Sequence, residues 1–354
     1  MPSISQHNYN HSNGIFRYPR RCCSSTTYTA LKVVNANQVK DVPTIKGGVE
    51  SSKFMVIGHR GCGMNMLRSS SDRKIKENTI LSFNAAAKFG VHFVEFDVQV
   101  TKDDCPVIFH DNFILTEENG TIYERRVIAL ALAEFLSCGP QKESGNVGLS
   151  LLRKTKDGRV FNWNVEEDGS LCTLQEAFQK VDSTLGFNIE LKFDDYILYK
   201  KEELLRALEV ILQVAFEYAK ERPLSFRRLQ KIYPVFFLTN GGSEVYTDAR
   251  RNSLDEALKL CLANDLQGIV SDVKVIFRNP GALLILYFSN VPEAVYVQHF
   301  MGINGVIVDL VREITESVSN LTKEEGKMKT PTIPNFSQRE MSFLLKLIPQ
   351  LIQH

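Results

Sequence analysis

Short apolar runs alternate with amphipathic stretches along most of this chain, and this alternation limits the folds that it can adopt. Seven runs have the length and character of buried strands: KFMVIGH, HFVEFDVQV, FNIELKF, YPVFFLT, LQGIVS, ALLILYF and NGVIVDL. Stretches between them, such as TILSFNAAAKFG, TLQEAFQKV and SLDEALKLCLAN, carry apolar residues at helical spacing. Alternating strands and helices form parallel βαβ units. Since seven or eight strands fall within about 270 residues, we expect a (β/α)8 barrel, with a doubly wound sheet as the alternative.

Composition limits the partners of the chain. Its 354 residues are 44% hydrophobic and 23% charged, which suits a large globular domain. The net charge of +1, with acidic and basic residues interspersed, argues against nucleic acid as a partner. We expect no transmembrane segment, because the apolar runs are far shorter than the ~20 residues that span a bilayer. The seven cysteines lack metal-ligand spacing, so we expect reduced thiols. The oligomeric state stays open.

We divide the chain into four segments. Residues 1–50 form an N-terminal tail whose first forty residues include arginine and lysine but no acidic residue. A transit peptide and a disordered tail both fit this composition. The barrel follows at 51–320, and a charged linker at 321–336. An amphipathic C-terminal helix is predicted over 337–354, where Met341, Leu344, Leu345 and Ile348 fall at helical spacing.

Charged residues interrupt the apolar pattern at several strand ends. Glu95 and Asp97 lie two residues apart, so in a strand their side chains leave the same face roughly 6–7 Å from each other. Inside a barrel they would need a cation, and carboxylate oxygens suit Mg²⁺ or Ca²⁺. A solvated acidic face on an edge strand is the alternative.

The same interruption recurs in three other apolar runs. GHRG ends one run with His59 and Arg60, PVIFHDN ends another with His110, and FNIELKF carries Glu190 and Lys192. Because active sites of barrels lie at the carboxyl ends of the strands, these side chains could converge on one face.

Four motifs resemble a known family. GHRG, KENTILSFNAA, FVEFDVQVTKDDCPVIFHD and GFNIELK, in this order, strongly resemble the glycerophosphodiester phosphodiesterases, and the wider pattern is similar to the plant plastid-type members. The resemblance continues through LQGIVS, GVIVDL and LLKLIP toward the C-terminus. It implies a (β/α)8 barrel that hydrolyses glycerophosphodiesters, such as glycerophosphocholine, to glycerol 3-phosphate and an alcohol with a divalent cation, Mg²⁺ or Ca²⁺.

The resemblance also implies roles for individual residues. His59 would act as base and His110 as acid, while Arg60 and Lys192 would bind the phosphate. The metal ligands would be Glu95, Asp97 and Glu190. These residue types suit the reaction, because a phosphodiester needs cations around its charged oxygens and two groups that exchange protons near neutral pH. The resemblance favours a plastid location, with the cytoplasm as the alternative.

Two βα units are shorter than the barrel requires, near 222–233 and 272–290. A parallel crossover takes a dozen or so residues and a strand about five, so twelve residues cannot hold both a strand and a helix. We expect a strand to be lost and the barrel to open or to pair in a changed register. The alternative function is therefore a poorly folded or inactive member of the family that acts only as a binding protein.

Overall fold

The computed structural model describes residues 54–65, 75–142, 147–155, 157–194, 197–219, 224–226, 234–242, 245–246, 248–272, 284–288, 290–300 and 303–325. Their strands and helices are, in chain order, β1 (Met55–His59), α1 (Ile80–Ala87), β2 (Phe93–Val100), β3 (Pro106–Ile108), β4 (Phe113–Glu118), β5 (Thr121–Arg126), α2 (Leu132–Leu136), β6 (Ser150–Lys154), β7 (Val160–Asn162), α3 (Leu174–Lys180), β8 (Gly186–Leu191), α4 (Lys201–Tyr218), β9 (Leu224–Phe226), β10 (Phe236–Leu238), α5 (Leu254–Ala263), β11 (Gly268–Asp272), β12 (Leu284–Phe288), α6 (Pro292–Phe300), β13 (Gly305–Val308) and α7 (Val311–Glu325).

Eight parallel strands of the main sheet run in the order β10-β11-β12-β13-β1-β2-β8-β9, and β3 joins the sheet as a ninth strand, antiparallel to β2. This is the chain order of a (β/α)8 barrel, with β13 returning to pair with β1. The predicted fold class is therefore confirmed. Among the described residues β9 and β10 do not pair, so the barrel is not closed between these two strands.

The strands alternate between two apolar layers, as the period of two predicts. On β2 and β8, Val94, Phe96 and Phe187 point outward into the main core, together with residues of α1, α3 and α4. On the inner face, Ile57 of β1 packs in a second cluster with Phe236, Val270 and Ile307. Side chains thus fill the barrel interior below the strand ends.

A second sheet, which the sequence analysis did not predict, lies between β3 and α3 along the chain. Its four antiparallel strands run in the order β5-β4-β6-β7, and we call β4–β7 the small sheet. Its core is aromatic, because Phe109 packs against Phe135 and Trp163 at ring-centroid distances of 6.0 and 6.1 Å. The outer strand β5 is largely exposed.

The expectation that a strand is missing is wrong. At the first short unit, β9 survives as three residues that pair with β8. At the second, β12 pairs with both β11 and β13 and fills its place in the sheet. Nine residues separate β9 from β10, so the first unit retains its strand and lacks the length for a crossover helix. Residues 227–233 and 273–283 themselves lie outside the described residues.

The predicted N-terminal tail and C-terminal helix lie outside the described residues. Helix α7 continues to Glu325, five residues into the segment that we predict as a linker. No helix in the described part of the chain has both the length and the apolar character that crossing a bilayer requires. The five cysteines within that part are free thiols, as predicted.

Candidate active site

The carboxyl ends of β1, β2 and β8 lie side by side and bring charged side chains to one end of the barrel. The pairing places His59 opposite Glu95 and Asp97 opposite Glu190. Glu95 and Asp97 are buried, with 2% and 1% exposure. The alternative of a solvated acidic edge strand is therefore wrong, because these carboxylates face the barrel interior.

Glu95, Asp97 and Glu190 form a compact carboxylate cluster, in which one ligand oxygen from each lies within 4.8 Å of the others. Burial and the charge of Asp97 raise the pKa of Glu95 to about 8. Burial disfavours ionisation of Asp97 too, but the charges of His110 and Lys192 hold its pKa well below the usual range. Oxygen donors from two buried carboxylates and one partly buried carboxylate fit a hard divalent cation such as Mg²⁺ or Ca²⁺.

Arg60 lies beside this cluster with an unusual backbone. Its φ of 48° is left-handed, and its backbone N–H donates to Glu95 Oε2 at 3.3 Å. The side chain is buried, and Nη1 donates to Glu77 Oε1 at 2.8 Å. Nε lies 3.5 Å from Asp97 Oδ2 and has no hydrogen-bond partner among the described residues. A buried guanidinium N–H without an acceptor suits an anionic ligand such as a phosphate.

Gly61 lets the turn after β1 fold tightly. Its φ of +94° disfavours other residues, and a Cβ there would lie 2.9 Å from the backbone carbon of Ser82. The Ser82 hydroxyl accepts from the Cys62 N–H at 2.8 Å and donates to the Arg60 carbonyl at 3.2 Å. The glycine thus allows α1 to approach and fix the His-Arg turn.

His59 is held by a carboxylate that the sequence analysis did not select. Its Nδ1 lies 2.6 Å from Asp309 Oδ1, just past the end of β13. Asp309 also accepts the Met64 N–H at 2.8 Å and the Asn290 amide at 2.8 Å. The second ring nitrogen, Nε2, lies 3.9 Å from Glu95 Oε2 and therefore faces the carboxylate cluster.

Asp309 also sets the ionisation of His59. Burial and the charge of Arg60 lower the pKa of His59, but the hydrogen bond and charge of Asp309 outweigh them, so it rises above its ordinary value. The pKa of Asp309 falls to about 2, because its bond to His59 and the bonds that it accepts outweigh its burial.

His110 reaches the site from β3, which pairs antiparallel with β2 and is not a barrel strand. The N–H of Phe109 donates to the Asp97 carbonyl at 3.0 Å, which brings His110 to the end of β2. The buried Gln99 amide donates to the carbonyls of Phe109 and Asp111, both at 2.9 Å. His110 Nδ1 lies 2.7 Å from Asp111 Oδ1. Burial and the charge of Arg60 nevertheless lower the pKa of His110.

Lys192 completes the set of predicted site residues. Its Nζ lies 3.5 Å from Glu190 Oε1 and 3.7 Å from Asp97 Oδ1. Burial lowers the pKa of Lys192, but the charges of Glu190 and Asp97 raise it more. Lys192 therefore carries a positive charge at the edge of the carboxylate cluster.

Sequence reasoning missed several residues that shape this site: Asp309, Glu77, Asn78, Gln99 and Arg153. Asp309 follows an apolar strand, as His59 does, so the same rule of polar residues at strand ends would have found it. Asn78 donates to Asp97 Oδ2 at 3.0 Å and has a φ of 57°. Arg153 carries no comparable signal, because it stands in an ordinary strand of the small sheet.

Comparison with known proteins identifies the family. Residues 59–313 match the model of the glycerophosphoryl diester phosphodiesterase family. Glycerophosphodiester phosphodiesterase GDPD2 of Arabidopsis thaliana is 51% identical over 92% of this chain and 100% of its own length. The chloroplastic GDPD1 of the same plant is 54% identical over 86% and 92%. The glycerophosphocholine phosphodiesterase GPCPD1 of Mus musculus is 28% identical over 79% and 47%.

Solved structures support the same fold. A phosphodiesterase of Oleispira antarctica, solved with the product sn-glycerol-3-phosphate, has a TM-score of 0.50 and 18% identity over 75% of this chain and 96% of its own. A glycerophosphodiester phosphodiesterase of Parabacteroides distasonis has a TM-score of 0.51 and 17% identity over 76% and 98%. The chain belongs to the glycerophosphoryl diester phosphodiesterase family and is a glycerophosphodiester phosphodiesterase.

Proposed function

We propose that this enzyme hydrolyses glycerophosphodiesters with a divalent cation held by Glu95, Asp97 and Glu190, and with His59 and His110 as the acid–base pair. The observation that supports the proposal is the cluster of three carboxylate oxygens, all within 4.8 Å of one another, beside two histidines. Each histidine is hydrogen-bonded through Nδ1 to a further carboxylate. When bound, the cation would withdraw charge from the phosphate oxygens.

The residues of the chain supply the remaining steps. Arg60 Nε and the Lys192 ammonium would neutralise the non-bridging oxygens as negative charge builds on them. His59 is bonded through Nδ1 to Asp309, and Nε2, which faces the carboxylate cluster, would exchange a proton with the reacting oxygens. His110 is bonded through Nδ1 to Asp111 in the same way. The two rings can therefore serve the attacking and the leaving oxygen.

The resemblance to the family assigns His59 as base and His110 as acid. The reverse assignment is a second candidate, because the pKa of His59 is raised and that of His110 is lowered. A substrate with a p-nitrophenol leaving group, which needs no protonation, decides between them. The variant that lacks the acid recovers activity on this substrate, whereas the variant that lacks the base does not.

The metal proposal is tested on chelated protein. We expect glycerol 3-phosphate release to disappear with chelator and to return with Mg²⁺ or Ca²⁺, together with a rise in thermal midpoint. In Glu190→Gln the cation should restore neither glycerol 3-phosphate release nor the higher thermal midpoint. Asp157→Asn, which removes an exposed carboxylate in the turn between β6 and β7, serves as the matched control. Full activity in chelator would refute the proposal, and cation binding without product release would support the alternative of a binding protein.

We propose glycerophosphocholine as one substrate, supported by the name of the mouse relative. A panel of glycerophosphocholine, glycerophosphoethanolamine and glycerophosphoglycerol tests this, with glycerol 3-phosphate as the common readout. Hydrolysis of the other two without glycerophosphocholine would refute it.

We propose a plastid location, directed by residues within 1–50. The support is the absence of acidic residues from the first forty positions, together with the chloroplastic Arabidopsis relative. Residues 1–50 fused to a fluorescent protein should enter chloroplasts of leaf cells. Fluorescence confined to the cytoplasm would contradict the proposal and favour its alternative.

A further inference from the structure

The small sheet contacts the active site through the guanidinium of Arg153, on β6. Its Nη1 and Nη2 each donate to a carboxylate oxygen of Glu77 at 3.0 Å, and Nη1 also donates to the Asn65 carbonyl at 2.7 Å. The group lies over the Trp163 ring, 4.5 Å from its centroid. A bidentate pair stacked on an aromatic ring fixes both the position and the plane of a guanidinium.

Glu77 is shared between two arginines. Its side chain is 1% exposed, and its Oε1 accepts from Arg60 Nη1 at 2.8 Å as well as from Arg153. Without Arg153, this buried carboxylate would keep only Arg60 and the Asn65 N–H as donors among the described residues, and its stronger attraction would draw Arg60 away from Asp97 and the phosphate position. Arg153 therefore controls how strongly Glu77 holds Arg60.

Arg153 also lies close to Asp111, the carboxylate that is bonded to His110. Its Nε lies 3.8 Å from Asp111 Oδ2, and the other oxygen of Asp111 lies 2.7 Å from His110 Nδ1. One rigid guanidinium thus contacts both the carboxylate that holds Arg60 and the carboxylate that orients His110.

We propose that Arg153 is a positioning residue for the phosphodiesterase reaction, which fixes Arg60 and His110 relative to each other through Glu77 and Asp111. The inference rests on the proposed roles of Arg60 and His110. It gives the small sheet, which adds no strand to the barrel, a part in aligning the phosphate-binding group with the acid–base group.

The test compares Arg153→Met and Arg153→Lys with Arg125→Met as matched control. Arg125 lies in the same sheet and pairs with Glu118 at 2.5 Å on the exposed side. We expect Arg153→Met to lower kcat by about 10- to 100-fold, the scale of a misplaced catalytic group, with a smaller rise in KM. Arg153→Lys should recover part of kcat, because the lysine ammonium keeps the positive charge but cannot donate the two parallel hydrogen bonds of the guanidinium. Arg125→Met should stay within about twofold.

A purely structural role makes a different prediction. It would lower the thermal midpoint and the active fraction while leaving kcat per folded molecule and KM unchanged, and that result would overturn the inference. If Arg153→Met does not fold, the test rests on Arg153→Lys. Folded Arg153→Lys with kcat lowered at least about fivefold supports the inference, and Arg153→Lys with wild-type kcat and KM overturns it.

Two further variants separate this inference from the proposed function. Arg60→Lys and His110→Ala are measured alongside, and full activity in both would refute the proposed roles and the inference with them. If both lose activity while Arg153→Met keeps it, the inference alone is wrong. Combining Arg153→Lys with Arg60→Lys should cost less than the product of the single losses, since one acts through the other, and a fully multiplicative loss would overturn the inference.

Discussion

Replacing Asp309 by asparagine tests the hydrogen-bond chain that holds His59. Asp309 Oδ1 faces His59 Nδ1 and the Met64 N–H, and Oδ2 accepts from Asn290 Nδ2. The Asn290 amide cannot turn over at low cost, because its oxygen accepts the N–H groups of Asp309 and Leu310 at 2.6 and 3.1 Å.

An asparagine at position 309 therefore meets a conflict in either orientation. With its NH₂ toward Asn290, two donors face each other. With its NH₂ toward His59, this group faces the Met64 N–H, which is also a donor. It also requires Nδ1 of the imidazole to accept, so that Nε2 carries the proton. One unsatisfied polar group costs about 1–3 kcal/mol, and we expect the lower end because the Asp309 side chain is 18% exposed. We expect kcat to fall by about 10²-fold or more.

The pH profile of Asp309→Asn adds a second measurement. Because the hydrogen bond and charge of Asp309 raise the pKa of His59, the variant should have a lower pKa there. If His59 is the base, the acidic limb of kcat/KM moves to lower pH, and if it is the acid, the alkaline limb moves in the same direction. Activity within about twofold of wild type with both limbs unmoved would refute the orienting role, provided that Asp157→Asn behaves as wild type.

Four further outcomes follow from the site and the sheet. Glu190→Ala should abolish cation-supported hydrolysis without lowering the thermal midpoint of metal-free protein, since it removes a repelling carboxylate; a lower midpoint in calorimetry would contradict this. His59→Ala and His110→Ala should each cost at least ~10²-fold in kcat, and the double variant far less than their product. Gly61→Ala should destabilise the fold by about 1–3 kcal/mol in denaturant titration, because a Cβ there meets the Ser82 backbone. A helix-length insertion directly after Phe226 should raise the thermal midpoint and leave kcat/KM within about twofold; an unchanged midpoint would show that the shortened crossover costs no stability.

Periodicity predicted what depends on local pattern. The barrel strands and the common face of Glu95 and Asp97 follow from a period of two, and the clustering of strand ends follows from parallel order. The sequence could therefore place Glu95, Asp97 and Glu190 near one another, but whether they face the interior or solvent was decided only by the structure. The small sheet could not be predicted, because three of its four strands lack apolar alternation: β5 is largely exposed, the two buried leucines of β6 are adjacent, and β7 has only three residues.

Contacts between residues far apart in the chain could not be predicted from the sequence either. The bond from His59 to Asp309 spans 250 positions, and the bonds from Arg153 to Glu77 span 76. No local pattern encodes such a pairing. It arises because β13 returns to pair with β1, and because β6 of the small sheet approaches the segment that leads into α1.

In the described part of the barrel β9 and β10 do not pair, but this gap lies away from the site residues in the sheet. His59, Glu95, Asp97 and Glu190 are carried by β1, β2 and β8, and Asp309 directly follows β13. These four strands are consecutive neighbours in the order β13-β1-β2-β8, and each joins the next through a parallel ladder of three or more residue pairs. An unpaired strand edge leaves backbone N–H and C=O groups without ladder partners, which lowers the free energy of unfolding. The geometry of the carboxylate cluster depends instead on the ladders within this arc. Stability and catalysis should therefore respond separately to changes at the two places: an alteration at the end of β9 shifts the thermal midpoint, whereas one within the arc changes kcat.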